Sequence, residues 1–131
     1  MEMWRRVWRD GLAPLMSPAA LEALRVGLER DDPQLVQGAT CSPPALQSLS
    51  GRPVETACAL GYCGWHGEGM ATVAEVEDYF QQLCDGADVR MAERAVCRFF
   101  LNWYDDTPRD AMRRLLLAEV EAMLRCRRLA A

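Results

Sequence analysis

Five times in this chain a capping residue stands directly before a proline or three residues before a glutamate: Ser17-Pro18, Asp32-Pro33, Ser42-Pro43, Thr72 with Glu75, and Thr107-Pro108. Each is a helix-start signal. The side-chain oxygen takes an orphan N–H of the first turn, proline's missing N–H costs nothing at the first helical position, and glutamate at the third closes a capping box. Behind three of these signals apolar residues recur at helical spacing. Leu21, Leu24 and Leu28 follow Ser17; Val73, Val76, Phe80, Leu83 and Cys84 follow Thr72; Met112, Leu115, Leu116, Val120, Met123 and Leu124 follow Thr107. Trp4, Val7, Trp8 and Leu12 pattern the first segment, and Ala92, Val96, Phe99, Phe100 and Trp103 the segment before Thr107.

No stretch keeps a two-residue alternation for long, and β-branched residues are scarce. The expected fold is therefore all-α: a single compact bundle of five to seven short helices over residues 1–131. The first helix is expected to end near Gly11, Ser42 to restart a helix, and Val54, Ala57 and Cys58 to begin one that dies in a glycine-rich loop. Asp85-Gly86 reads as a stop or kink.

Half of the 131 residues are hydrophobic, and a chain of this size buries roughly two-thirds of its unfolded surface. A core is within reach without staples. All fifteen basic residues are arginine, isoleucine is absent and Asn102 is the lone asparagine. That bias points to GC-rich coding, hence to a bacterial origin. The net charge of −4 is unevenly spread. Residues 13–106 hold fourteen acids against six arginines, and residues 107–131 hold six arginines against three acids. An acidic body argues against broad nucleic-acid binding and leaves room for a basic protein partner. No apolar core of a signal peptide follows the first residues, and no apolar run is long enough to span a membrane. The six cysteines are then expected to be reduced core thiols of a cytoplasmic protein.

The only histidine, His66, lies in Leu60-Gly61-Tyr62-Cys63-Gly64-Trp65-His66-Gly67-Glu68-Gly69. Large aromatics in a glycine-rich loop either plug the core or form a recognition patch, since aromatics anchor interfaces. Tyr62, Trp65, His66 and Glu68 are the candidate partner-binding residues. A second reading makes this segment a structural zinc site, with Cys58, Cys63 and His66 joined by Cys84 or Cys41. Neither C-x2-C nor a paired-histidine spacing supports it, and Cys58 also reads as an ordinary core thiol. A Cys63–His66 nucleophile and base would sit only three residues apart with no legible oxyanion hole, so no catalytic residue is assigned. Without lysine the standard phosphate loop is excluded.

Arg90, Arg94 and Arg98 recur every four residues and, with Arg113 and Arg114, form the candidate nucleic-acid face. The plain alternative is a solvated helix surface. Glu75, Glu77, Asp78, Asp85 and Asp88 lack both the Glu-x-x-His pairs of di-iron bundles and the calcium-loop pattern. The expected function is a small cytoplasmic protein-interaction module of adaptor, inhibitor or accessory-subunit type. On this reading it needs no cofactor and binds another protein or a second copy of itself, and no residue set in the sequence assigns it an enzymatic activity.

Overall fold

Ser17 opens a helix as its place before Pro18 predicts: its Oγ accepts a hydrogen bond from Ala20 N at 3.0 Å, and α2 runs Pro18–Glu29. Thr72 and Glu75 satisfy each other's backbone N–H groups at 3.3 Å and start α4, Val73–Met91. The remaining helices are α1 Met3–Arg6, α3 Ala59–Tyr62, α5 Cys97–Asp106 and α6 Arg109–Ala130. This computed structural model describes residues 1–130. The expected all-α class holds, with one addition: β1, Cys41–Ser42, pairs antiparallel with β2, Thr56–Ala57. No helix among the described residues is long and apolar enough to cross a membrane.

Beyond α1 the chain continues in π geometry over Val7–Leu12, so the first helix ends next to Gly11 as expected, and a 3-10 turn, Ala13–Leu15, closes it. Burial of Trp8 and Leu12 holds this irregular stretch in the core. Four other local expectations fail, each for a tertiary reason. Gly86 does not stop α4; it lets the helix press on Leu15, whose Cδ1 would lie 2.5 Å from a β-carbon there. Ser42 does not restart a helix but belongs to β1, and Glu55 N donates to its carbonyl at 2.7 Å. The Ser42–Pro43 peptide is cis. Val54 and Ala57 likewise begin no helix: Ala57 belongs to β2 and Val54 lies just before it, with Val54 N bonded to Ala71 O and Ala57 N to Gln34 O, both at 2.9 Å.

The fourth concerns α5. Its stripe begins not at Ala92 but at Val96, because Ala92 and Ala95 take left-handed φ values of 52° and 54°. Asp88 holds this bend, accepting from Ala95 N and Val96 N at 2.9 Å each. Val96, Phe100 and Tyr104 then face the core, while Phe99 and Trp103 are half-buried.

The buried apolar side chains form one continuous cluster, with Trp8, Phe100, Tyr104 and Met112 enclosed in it and the leucines of α2 and α6 closing its other side. Trp4 stacks flat on Trp103 at 3.5 Å between ring centroids. Glu119, only 7% exposed, is the one buried acid among the described residues. Arg9 clasps it with two hydrogen bonds of 2.6 and 2.8 Å, and Arg5 adds a third nitrogen at 3.6 Å. At the far end of α6, Arg127 donates to Ala13 O at 2.7 Å. A cation there also complements the helix dipole.

Candidate functional site

The glycine-rich stretch is helical rather than a loop. α3 continues in π geometry through Cys63–Gly67, and Glu68 N–H reaches back to Cys63 O. Its glycines serve close approach. A β-carbon on Gly67 would fall 2.4 Å from Ala20 Cα of α2, and one on Gly27 of α2 would fall 2.7 Å from the Tyr62 ring. α2 and the α3 extension therefore meet nearly backbone to backbone, and the large side chains of this stretch are forced to the margins of the contact. π turns of this kind often mark functional positions.

This packing sorts the four candidate partner residues. Tyr62 is 4% exposed and plugs the space beside Gly27, so only its hydroxyl is available for a polar role. Trp65 is half-buried and stacks on His66 at 4.2 Å. His66 is exposed, with Nε2 donating to Gln34 Oε1 at 3.1 Å. Glu68 accepts a hydrogen bond from Ser17 Oγ, tying the segment to the start of α2.

Between these elements lies a half-open cleft of about 690 Å³. Ala19, Ala23 and Val26 of α2 form its apolar wall, with Pro33 at one end. Tyr62 and His66 close the opposite side, and Arg30 and Asp32 stand at the edge. That volume lies within the range of ordinary ligand-binding clefts.

The turn after α2 places the polar groups. Asp32 N donates to Gly27 O at 3.0 Å and Asp31 N to Leu28 O at 3.3 Å, with Asp31 at φ 52°. This is a Schellman closure with aspartate in the left-handed position usually held by glycine. It turns the two adjacent aspartates apart. Asp31 pairs with Arg109 at 2.7 Å and Arg113 at 3.4 Å on α6. Asp32 points to the cleft, accepting from Tyr62 O–H at 2.6 Å and Gln34 N at 2.9 Å.

Partial burial opposes the charge on Asp32. The Tyr62 and Gln34 donors, with His66 and Arg109 nearby, outweigh it and hold the carboxyl below its usual range. Burial, and then the bond to Asp32, push the Tyr62 phenol up. The pair is thus a carboxylate with a permanent phenol donor beside it, and it offers recognition rather than proton transfer near neutrality.

The zinc reading finds no ligand set. Among the described residues no three His, Cys, Asp or Glu groups converge to hold a metal. Cys58 and Cys63 are buried in the core while His66 turns to the surface, and Cys63 sits against the Met16 sulfur at 4.0 Å. Burial raises the Cys58 thiol to about 12 and moves Cys63 in the same direction. Cys84 is half-buried on α4, and Cys41 lies near Glu77.

The arginine face is divided as well. Arg90 ends α4 and donates to Asp10 O at 3.0 Å, Arg94 lies in the bend, and Arg98 covers the Phe99 ring at 4.2 Å. Arg113 caps α2, donating to Leu28 O at 2.9 Å and Glu29 O at 3.2 Å. Arg114 is exposed on α6. The break at Ala92 removes the continuous helix on which the four-residue spacing of Arg90, Arg94 and Arg98 depended.

Spacing did not point to Arg30, Asp32, Ala23 or Val26. The legible hint was Gly27 inside an otherwise strong helix, where glycine costs about 1 kcal/mol relative to alanine and so marks a close neighbour. Compared with protein-family models, curated proteins and solved structures, the chain finds no match.

Proposed function

We propose that this protein acts by binding another protein, and that the α2 cleft receives an amphipathic segment of that partner. The partner's apolar side chains would lie on Ala23 and Val26, and an acidic side chain would meet Arg30. The observation that carries this reading is the charge pattern around an apolar wall. Arg25 is paired with Glu22 and Glu29, each at 2.6 Å, and Arg109 and Arg113 share Asp31. Arg30, exposed at the cleft edge, has no carboxylate within ion-pair distance among the described residues. An apolar wall supplies affinity, while an unpaired charge at the rim sets orientation and partner choice. His66, stacked on Trp65, gives the partner an aromatic edge. A bacterial cytoplasm is part of this proposal, supported by the arginine-only composition and by six cysteines none of which is joined in a disulfide.

The test is a displayed-peptide selection followed by calorimetric titration of the enriched peptide. Ala23→Arg should weaken binding more than tenfold, about 1.4 kcal/mol, with an unchanged melting temperature. Arg30→Glu should do the same, and neutralising the peptide's acid should make wild type and Arg30→Glu bind alike. A selected peptide indifferent to Ala23→Arg, or no selected peptide at all, removes the cleft from this role.

A further inference from the structure

Arg30 and Asp32 stand at the edge of the α2 cleft with one residue between them. Among the described residues neither lies within ion-pair distance of an opposite charge, and they do not pair with each other. The backbone keeps them apart. Arg30 ends α2 as its C-cap, and Asp31, at φ 52°, turns the chain before Asp32. The nearby cations are spent elsewhere. Arg109 gives its Nε to the Asp31 carboxylate at 2.7 Å and reaches only the backbone carbonyl of Asp32, at 3.1 Å. The other acid lining the cleft, Glu22, is paired with Arg25 at 2.6 Å.

Asp32 is also held in place by both of its oxygens. Oδ2 accepts from Tyr62 O–H at 2.6 Å and Oδ1 from Gln34 N at 2.9 Å. An ionised carboxylate has about four acceptor positions, and these two donors leave the others open. Against partial burial, the same donors keep the carboxyl below its usual range. The cleft therefore presents an oriented anion and an exposed cation on either side of a single residue, next to the apolar wall of Ala23 and Val26.

We propose that the cleft reads the polarity of its partner segment: a basic side chain of the partner seats on Asp32 while the partner's acidic side chain meets Arg30. This rests on the α2 cleft being the partner site, and it adds the second charge and with it the direction of the bound segment. A cationic N–H donor on a carboxylate makes a hydrogen bond roughly twice as strong as a neutral pair. Asp32 is already oriented, so little ordering cost opposes that gain. A segment with the two charges exchanged would put acid against Asp32 and base against Arg30. Like charges would then meet at both positions, which is how a site rejects a wrong partner as well as attracting the right one.

The test is calorimetric titration of the full chain with the peptide selected on the cleft, acetylated and amidated so that only side chains carry charge. The selected peptides should contain a basic residue as well as an acid. Replacing that base by citrulline or norleucine should weaken binding to the wild-type protein about tenfold, as loss of a charged hydrogen bond does. Exchanging the acid and the base should weaken it further. Asp32→Asn should bind the parent and the neutralised peptide alike. Asp31→Asn, whose carboxylate serves Arg109 and Arg113 instead, should keep the wild-type preference for the base. The inference is overturned, with the cleft reading left standing, if peptides blocked by Ala23→Arg carry no base, lose nothing when it is neutralised, tolerate the exchange, or keep their preference on Asp32→Asn. Both fall together if no peptide is selected or if Ala23→Arg leaves binding unchanged.

Discussion

Two aromatic clusters of similar composition meet opposite fates. In the first, Trp4 lies flat on Trp103, and Trp8 stacks on Phe100, which in turn stacks on Tyr104. Trp4, Trp8, Phe100 and Tyr104 are all buried. In the second, Tyr62, Trp65 and His66 contact one another at 4.2 to 6.4 Å, yet only Tyr62 is buried. The difference comes from their neighbours. α1 and its π extension lie across α5 and α6, with Arg5 and Arg9 locked on Glu119, and leave no room at the first cluster. At the second, α2 offers alanines and Gly27, which bring the backbones together but do not cover the rings. Small residues at a helix contact create tight approach and an open margin at once, and here the cleft is that margin.

The sharpest way to break the comparison is to truncate one tryptophan from each cluster. Trp8→Ala removes a fully enclosed side chain and should cost about 3–5 kcal/mol. Trp65→Ala should cost below about 1.5 kcal/mol, as half-exposed positions do. Urea unfolding of both variants measures the difference, and equal losses would make the second cluster as structural as the first. The backbone contact at the cleft comes next. Gly67→Ala forces a β-carbon against Ala20 Cα and should cost about 1–3 kcal/mol, the usual effect of overpacking. Gly51→Ala, with open space around it, should stay within about 0.5 kcal/mol of wild type. Similar melting temperatures for the two alanine variants would show that α2 and α3 do not meet as closely as described.

The smallest effect belongs to the cleft carboxylate. The Asp32 pKa lies below its usual 3.8, so the folded state binds the proton less readily than the unfolded chain does. Its contribution to stability is therefore present above about pH 4 and is lost as pH falls through the depressed folded value. Asp32→Asn should lower stability at pH 7 by about 1 kcal/mol or less, as expected for one hydrogen-bonded pair. The deficit should shrink toward pH 2, followed by melting temperature against pH. A deficit that grows in acid would reverse the assignment.

Thr72 and Glu75, Ser17 with Pro18, and the stripe Met112, Leu116, Val120 and Leu124 were legible because each rests on residues within one or two turns of one another. Ser42-Pro43 carries the same local signal and still becomes a strand. Its partner Thr56 lies fourteen residues away in sequence, and no cap pattern records that pairing. Gly61, Gly64 and Gly67 misled in a different way. Freedom to bend and freedom to be approached have the same sequence signature, a missing side chain, and only the presence of Ala20 and Tyr79 alongside decides between them.

By itself, then, the sequence determined where most helices start, which faces they bury and that the class is all-α, because caps and 3.6-residue periodicity are short-range physics. Tertiary structure alone decided that the glycine-rich stretch is helical, that Asp31 and Asp32 part to serve α6 and Tyr62, and that Arg30 has no carboxylate partner among the described residues. Those are contacts between segments, and their energies depend on which backbones come close, which no local pattern encodes.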